Sequence, residues 1–136
     1  MTMTDTAPGP RAAGVHWDLS PLLSGADEAR SRLDVVLERC RAFERRHRGT
    51  LAGIEAAGLA AALEELAAID NELSRVASYA HLRESVDVSA EENRDLAAAV
   101  DRAMVEAGNA LRFFDLEWIA LPEETARPLH DAPEVA

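Results

Sequence analysis

Residues 89–121 read SAEENRDLAAAVDRAMVEAGNALRFFDLEWIAL, and this stretch decides the fold. Its apolar residues recur at alternating steps of four and three, which is the period of an α-helix that packs along one seam. We expect a helix over residues 90–120 that is about 45 Å long, since each residue adds about 1.5 Å. The predicted seam consists of Leu96, Val100, Ala103 or Met104, Ala107, Leu111, Phe114, Trp118 and Leu121.

Both ends of this predicted helix carry sequence signals. Ser89 and Glu92 have the spacing of a capping box, in which each side chain accepts a hydrogen bond from a backbone N–H group at the helix start. Pro122 ends the helix at Leu121, because proline disfavours helical geometry at the residue before it and suits the first turn of a new helix. We therefore expect one long helix, followed by the start of another.

A second long helix is predicted upstream, because apolar residues recur at helical spacing after Gly58. Residues 50–58 contain Gly53 and Gly58 and fit either a loop or a short helical turn. A short connection at residues 86–88 joins the second helix to the third, so the two must fold back antiparallel. The predicted apolar positions of the second helix are Leu59, Leu63, Leu66, Ile69, Leu73, Val76, Tyr79 and Leu82.

A first helix is predicted to pack alongside this hairpin. Ser24 is its expected N-cap, with Asp27 and Glu28 in the first turn. Gly49 is expected in the left-handed conformation that ends many helices. The apolar stripe is Leu33, Val36, Leu37, Cys40 and Phe43, and the basic residues of the last turn are Arg45, Arg46 and Arg48.

The flanking segments divide the chain into three parts. Residues 1–14 are rich in proline and glycine and are expected to form a disordered tail. Residues 15–121 form the predicted helical lobe, in which residues 15–23 are expected to lie extended across the helices with Trp17 as anchor. Residues 122–136 are predicted to begin a further helical segment that is cut short.

The composition agrees with an all-α protein that has an aliphatic core. Hydrophobic residues make up 48% of the chain and aromatic residues 4%, so leucine and alanine must carry the packing. The formal net charge of -11 argues against nonspecific binding to nucleic acid and to anionic membranes, because both need clustered positive charge. We therefore expect neither kind of partner.

Cys40 is the single cysteine, which excludes an intramolecular disulfide and favours a reducing compartment. The first residues contain no apolar run typical of a signal peptide, and no later stretch has the length and apolarity of a membrane span. A soluble, cytoplasmic protein is the expectation from these features.

The four histidines do not form a zinc-peptidase motif. Such a motif is His-Glu-x-x-His on one helix, and none of His16, His47, His81 and His130 is followed by glutamate. Glu44 and His47 have the Glu-x-x-His spacing of di-iron bundles, but those sites need the motif on two helices. His81 with Glu84 is a weaker candidate still. We nominate no catalytic, cofactor-binding or metal-ligating residue.

Two features fit either a structural or a functional role. The arginine-rich run over residues 39–48 suits the negative end of a helix dipole, and the alternative is an anion-binding patch. Cys40 lies on the apolar stripe, where a buried thiol is more often part of the core than a nucleophile. The structural interpretation is favoured for both.

The aromatic residues Tyr79, Phe113, Phe114 and Trp118 are favoured as core residues, and the alternative is the lining of a peptide groove. Phe113 and Phe114 point about 100° apart on a helix, so both cannot face one seam. One of them is expected to need a second partner surface.

Three stretches together resemble the opening of the oligoendopeptidase F family, which is thimet-oligopeptidase-like. They are WDLSPL at residues 17–22, SYAHL at residues 78–82 and FFDLEW at residues 113–118. The resemblance implies a cytoplasmic zinc metalloendopeptidase that cleaves short peptides in a deep channel, with an N-terminal helical lobe as one wall. In that family the His-Glu-x-x-His helix and the third zinc ligand lie far downstream, so no catalytic or metal position is carried over to this chain.

The leading hypothesis is therefore a noncatalytic fragment of such a peptidase, inactive alone. Its partner would be the missing C-terminal catalytic domain, and zinc and the peptide substrate would be bound only in the full-length parent. A fragment without its partner domain is expected to be marginally stable and to self-associate. The alternative is a self-contained small helical protein-interaction module.

Overall fold

A computed structural model describes residues 18–136, and all regular secondary structure in that range is helical. The predicted all-α class is confirmed. The predicted tail over residues 1–14 and the predicted anchor Trp17 lie outside the described residues. The helices are α1 (Ala26–His47), α2 (Ala56–Val86), α3 (Glu91–Ala120) and α4 (Glu123–His130), with a 3₁₀ turn at Leu51–Gly53 between α1 and α2.

Helices α2 and α3 form a long antiparallel hairpin, and α1 packs against both of them. At the turn of the hairpin, His81 Nε2 of α2 lies 3.3 Å from Asp101 Oδ1 of α3. At the opposite end, Leu59 of α2 and Phe114 of α3 line the same cavity. The predicted αα-hairpin with an additional packed helix is therefore confirmed, and the core lies between the three long helices.

The α3 seam is buried over most of its predicted length. Its buried members are Leu96, Val100, Ala103, Ala107 and Phe114. The sequence pattern predicted either Ala103 or Met104 on the seam. Ala103 is the buried one, and Met104 is 40% exposed. Leu111, Trp118 and Leu121, the other predicted members, are only partly buried.

The buried stripe of α2 differs from the prediction at three leucines. Leu63 is 37% exposed, Leu82 is 41% exposed and Leu66 is only partly buried, although all three lie on the predicted apolar stripe. Ala62 and Ala80 are buried. The three leucines therefore lie at the edge of the stripe that packs in the core.

The start of α1 corrects the predicted N-cap. Gly25, not Ser24, occupies the cap position and makes no side-chain hydrogen bond. Ser24 instead donates its backbone N–H and its hydroxyl to the Glu28 carboxylate. The hydroxyl bond is the main cause that lowers the pKa of Glu28 to about 2. The Glu28 carboxylate in the first turn therefore holds Ser24 in place. The Ser24 hydroxyl donates a hydrogen bond here, whereas as an N-cap it would have accepted one from the backbone.

The end of α1 agrees with the expected left-handed glycine. Gly49, which directly follows the C-cap residue Arg48, has a φ of 80°. Its backbone N–H donates to both carboxylate oxygens of Glu117, at 2.9 and 3.0 Å. This contact ties the end of α1 to the last turns of α3.

Replacing Gly49 with alanine should destabilise the protein by about 1–2 kcal/mol, because left-handed backbone is strained for residues with a Cβ. No atom lies within 4 Å of an added Cβ at Gly49, so the cost comes from the backbone alone. Gly53→Ala is the matched control, since it has the same open space and no positive φ. Urea unfolding followed by circular dichroism measures both, and equal midpoints for the two variants would contradict this explanation.

The predicted capping box at the start of α3 is wrong. Ala90 occupies the cap position without a side-chain hydrogen bond. The Ser89 backbone N–H and hydroxyl both donate to Asp87 Oδ1, at 3.1 and 2.6 Å, so this side chain serves the turn and not the helix. Glu92 lies near Arg83 Nη2, at 3.5 Å, and does not reach back to the cap.

The segment before α1 is a turn where an extended chain was predicted. The backbone N–H groups of Leu22 and Leu23 both donate to the carbonyl of Leu19, at 2.9 and 3.3 Å. Arg75 Nε donates to the Leu22 carbonyl at 2.8 Å, which holds the turn against α2. Leu23 is buried, so the turn covers one end of the core.

The connection left open at residues 50–58 is part turn and part helix. The 3₁₀ turn begins at Leu51, whose side chain is fully buried in the core. Helix α2 then starts at Ala56, three residues before the first predicted apolar position, and includes Gly58.

No helix of the described residues has an apolar stretch long enough to cross a membrane.

Candidate functional site

A cavity of about 240 Å³ lies between α2, α3 and the segment around α4. Two leucines one turn apart on α2 face two aromatic residues one turn apart on α3. The end of α4 and residues 131–135 form the third side, held by the buried side chain of Leu129. The lining consists of Leu59, Leu63, Phe114, Trp118, Val135, Asp115 and His130.

The polar side chains of this cavity lie at its rim. Asp115 and His130 are both exposed, and His130 Nδ1 lies 3.1 Å from Asp131 Oδ1. No ion pair among residues 18–136 involves Asp115. The site therefore combines an apolar interior with an acidic group at its mouth, which is typical of pockets that orient a ligand by one polar contact.

The aromatic residues for which a peptide groove was the alternative to a core role do not lie together. Tyr79 is 5% exposed and lies near the hairpin turn, where its hydroxyl accepts a hydrogen bond from Arg83 Nη1 at 3.1 Å. Phe113 is buried in the core. Only Phe114 and Trp118 line the cavity, so the proposed groove is reduced to this pair.

The second partner surface expected for Phe113 or Phe114 lies within the chain. Both rings pack against Phe43 of α1, with centroids 6.0 and 5.7 Å away. The Arg48 guanidinium lies 5.3 Å from the centroid of the Phe113 ring. The end of α1 thus supplies the second surface, and both rings are at least 95% buried, at 4% and 5% exposed.

A second candidate surface is the outer face of α3, which we define by Val105, Leu116 and Ile119. These side chains are 66%, 59% and 78% exposed. At about 100° per residue they lie within about 60° of one another around the helix, on the side away from the seam. These three residues can be seen in the sequence as apolar positions off the seam. They were not predicted as a surface because the seam pattern was stronger.

The histidines and acidic residues of the described chain do not fit a zinc site. No group of three or more His, Cys, Asp or Glu side chains within residues 18–136 is arranged to hold a metal ion. Glu44 accepts a hydrogen bond from Arg48 Nε at 3.1 Å, and the His47 ring packs on Phe43 with centroids 4.4 Å apart. His81 is directed to Asp101, while His16 lies outside the described residues.

Four of the five arginines in the arginine-rich run are paired with carboxylates. Arg45 Nη2 lies 2.8 Å from Glu38 within α1. Arg41 pairs with Glu106 of α3, and Arg46 pairs with Glu65 of α2. These contacts neutralise positive charge and join α1 to the hairpin, which favours the structural interpretation of this run.

Cys40 is completely buried on the apolar stripe of α1. Burial raises the pKa of its thiol, so the thiolate that acts as a nucleophile is disfavoured. The side chain behaves as a small apolar residue of the core.

Comparison with known proteins found no matching family model, no similar curated protein and no similar solved structure.

Proposed function

We propose that this chain is the noncatalytic helical lobe of an oligoendopeptidase F-like zinc metalloendopeptidase. It would contact the catalytic domain of that peptidase through the outer face of α3. The exposure of Val105, Leu116 and Ile119 carries this proposal, because large apolar side chains left exposed on one face of a helix are candidates for a protein contact. The three sequence stretches that resemble the family support the choice of partner.

The outer face of α3 offers apolar side chains that a partner domain could bury. Burying a valine, leucine or isoleucine side chain stabilises by about 1.5–3 kcal/mol relative to leaving it exposed. Three such side chains on one helix face fit a groove on a partner, a common mode of helix recognition. The contact would orient the lobe beside the channel in which peptides are cleaved.

The chemistry of the proposed peptidase lies outside this chain. Zinc and the general base would come from the catalytic domain, and short peptides would be its substrates. The lobe would form a wall that limits access to the channel. A cytoplasmic location belongs to the proposal, since the single buried thiol suits a reducing compartment.

The gene itself gives a first test. The nucleotide sequence for about 1.5 kilobases downstream of the Ala136 codon, read in three frames, should contain a His-Glu-x-x-His motif within a helical pattern. Its absence would overturn the peptidase assignment.

A matched pair of variants tests the proposed contact in the full-length protein. Leu116→Glu places a charge on the outer face of α3, whereas Val35→Glu does so at an equally exposed site on α1, at 59% against 60% exposed. We expect Leu116→Glu to lower peptide hydrolysis and the melting temperature of the full-length enzyme, with little effect on residues 1–136 alone. Val35→Glu should leave both proteins unchanged. Equal behaviour of the two variants in the full-length enzyme would contradict the assigned surface.

A second candidate function is a self-contained helical interaction module. The hydrogen bonding of the core favours an interaction module. Within residues 18–136, no buried side-chain nitrogen or oxygen lacks a hydrogen-bond partner. The aromatic cluster of Phe43, Phe113 and Phe114 is likewise completed inside the chain. A gene without His-Glu-x-x-His and a stable monomer of this chain would favour the module over the peptidase lobe.

A further inference from the structure

We propose that the cavity between α2, α3 and α4 binds a small cyclic apolar molecule that carries a positively charged amino group. The ring would lie between Leu63, Phe114 and Trp118, and the amino group would face Asp115 at the rim. This inference concerns a different surface from the outer face of α3. It stands whether or not the peptidase assignment holds.

The volume of the cavity sets the size of the ligand. At about 240 Å³ it is larger than an engineered apolar cavity of about 150 Å³ that binds benzene. One six-membered ring with a short chain therefore fits. The cavity opens to solvent on one side, which lets a polar end of the ligand stay hydrated.

The apolar lining selects a ring for the interior. Leu59, Leu63 and Val135 provide aliphatic surface, and the rings of Phe114 and Trp118 provide flat surface one turn apart on α3. Aromatic rings pack favourably against such surfaces in offset or edge-to-face arrangements. Because Trp118 is only partly buried, a bound ring would cover part of its exposed surface.

The charged groups around the cavity favour a positively charged group of the ligand at its opening. Asp115 lines the cavity and takes part in no ion pair among the described residues, so its carboxylate is open to a ligand. His130 lies on the same rim, and its Nδ1 is 3.1 Å from Asp131 Oδ1 outside the cavity. The net charge of -11 repels an anionic ligand as a whole. A positively charged amine therefore complements both the Asp115 carboxylate and the negative net charge of the protein.

The experiment compares three probes of similar size and different charge. We would titrate 2-phenylethylamine, 2-phenylethanol and 3-phenylpropionate into the full chain at pH 7 and low salt. Two-dimensional NMR would follow the backbone and indole N–H signals of Trp118, which a Trp17→Phe variant assigns. We expect saturable shifts with the amine and an affinity about fivefold above that of the alcohol, the gain of one exposed ion pair. The carboxylate should bind weakest.

Variants separate the ring pocket from the charge contact. Asp115→Asn should equalise the amine and the alcohol while both still bind. Leu63→Trp should fill the cavity and abolish binding, whereas Leu82→Trp is a control at similar exposure near the hairpin turn, at 41% against 37%. The proposal is overturned if the amine gives no saturable shift, if the carboxylate binds as tightly, or if Asp115→Asn keeps the preference.

Discussion

Replacing Phe43 with alanine should lower the free energy of unfolding by about 3–5 kcal/mol, the range for removal of a fully buried aromatic ring. Phe43 is 0% exposed, and its ring contacts those of His47, Phe113 and Phe114 with centroids between 4.4 and 6.0 Å. Helices α1 and α3 meet at this ring and three rings surround it, so no single neighbour can move to refill the space. The loss is a large share of the roughly 5–15 kcal/mol that stabilises an ordinary domain.

Chemical unfolding followed by circular dichroism measures this effect. Phe43→Leu is the graded control, because it keeps apolar contact and removes only part of the volume, so its loss should be clearly smaller. Leu116→Ala removes an exposed side chain from α3 and should change stability by less than about 0.5 kcal/mol. A loss below about 1 kcal/mol for Phe43→Ala would mean that the aromatic cluster does not hold α1 against α3.

The positions of the three long helices follow from the sequence because their apolar residues keep a helical period over many turns. The α3 seam from Leu96 to Ala107 is buried as predicted, and Gly49 takes the predicted left-handed backbone. In both cases the signal is local and leaves few alternatives. Only a glycine suits that turn, and only one face of α3 is apolar enough to form a continuous core.

The capping predictions failed for a common physical reason. Ser24 and Ser89 each had a carboxylate neighbour that competes for the hydroxyl, namely Glu28 and Asp87. A charged acceptor makes the stronger hydrogen bond, so the serine serves that carboxylate and not the helix start. Sequence spacing alone does not rank these competing acceptors.

The candidate cavity could not be predicted because it depends on the placement of α4 against the hairpin. Leu59, Leu63 and Phe114 were assigned to the core on periodicity, and Trp118 was assigned to the seam. Periodicity shows which side chains share a face, but not whether the facing element fills the space between them. The outer face of α3 is different, since its three apolar residues lie off the seam in the sequence, where the stronger seam pattern hid them.

Replacing Asn93 with alanine should cost about 2–3 kcal/mol, because it removes three part-buried side-chain hydrogen bonds at the hairpin turn, each worth about 1 kcal/mol. Asn93 is the only buried polar or charged residue in the described part of the chain, at 6% exposed. Its side-chain N–H groups donate to the carbonyls of Arg83 and Asp87, both at 3.1 Å. Its Oδ1 accepts from Arg83 Nε at 2.7 Å, so one amide links the end of α2 to the start of α3.

Two control variants separate this network from general effects on α3. Asn109→Ala changes the same residue type at an exposed site of the same helix, and its stability should stay within about 0.5 kcal/mol of the parent. Asn93→Asp keeps an acceptor for Arg83, removes the two donors and adds a negative charge that strengthens the contact with Arg83. If Asn93→Ala unfolds at the same urea concentration as the parent, the amide does not hold the turn. A loss for Asn93→Asp close to that of Asn93→Ala, despite the stronger Arg83 contact, assigns the stability of the hairpin turn to the two donors, which no capping motif in the sequence revealed.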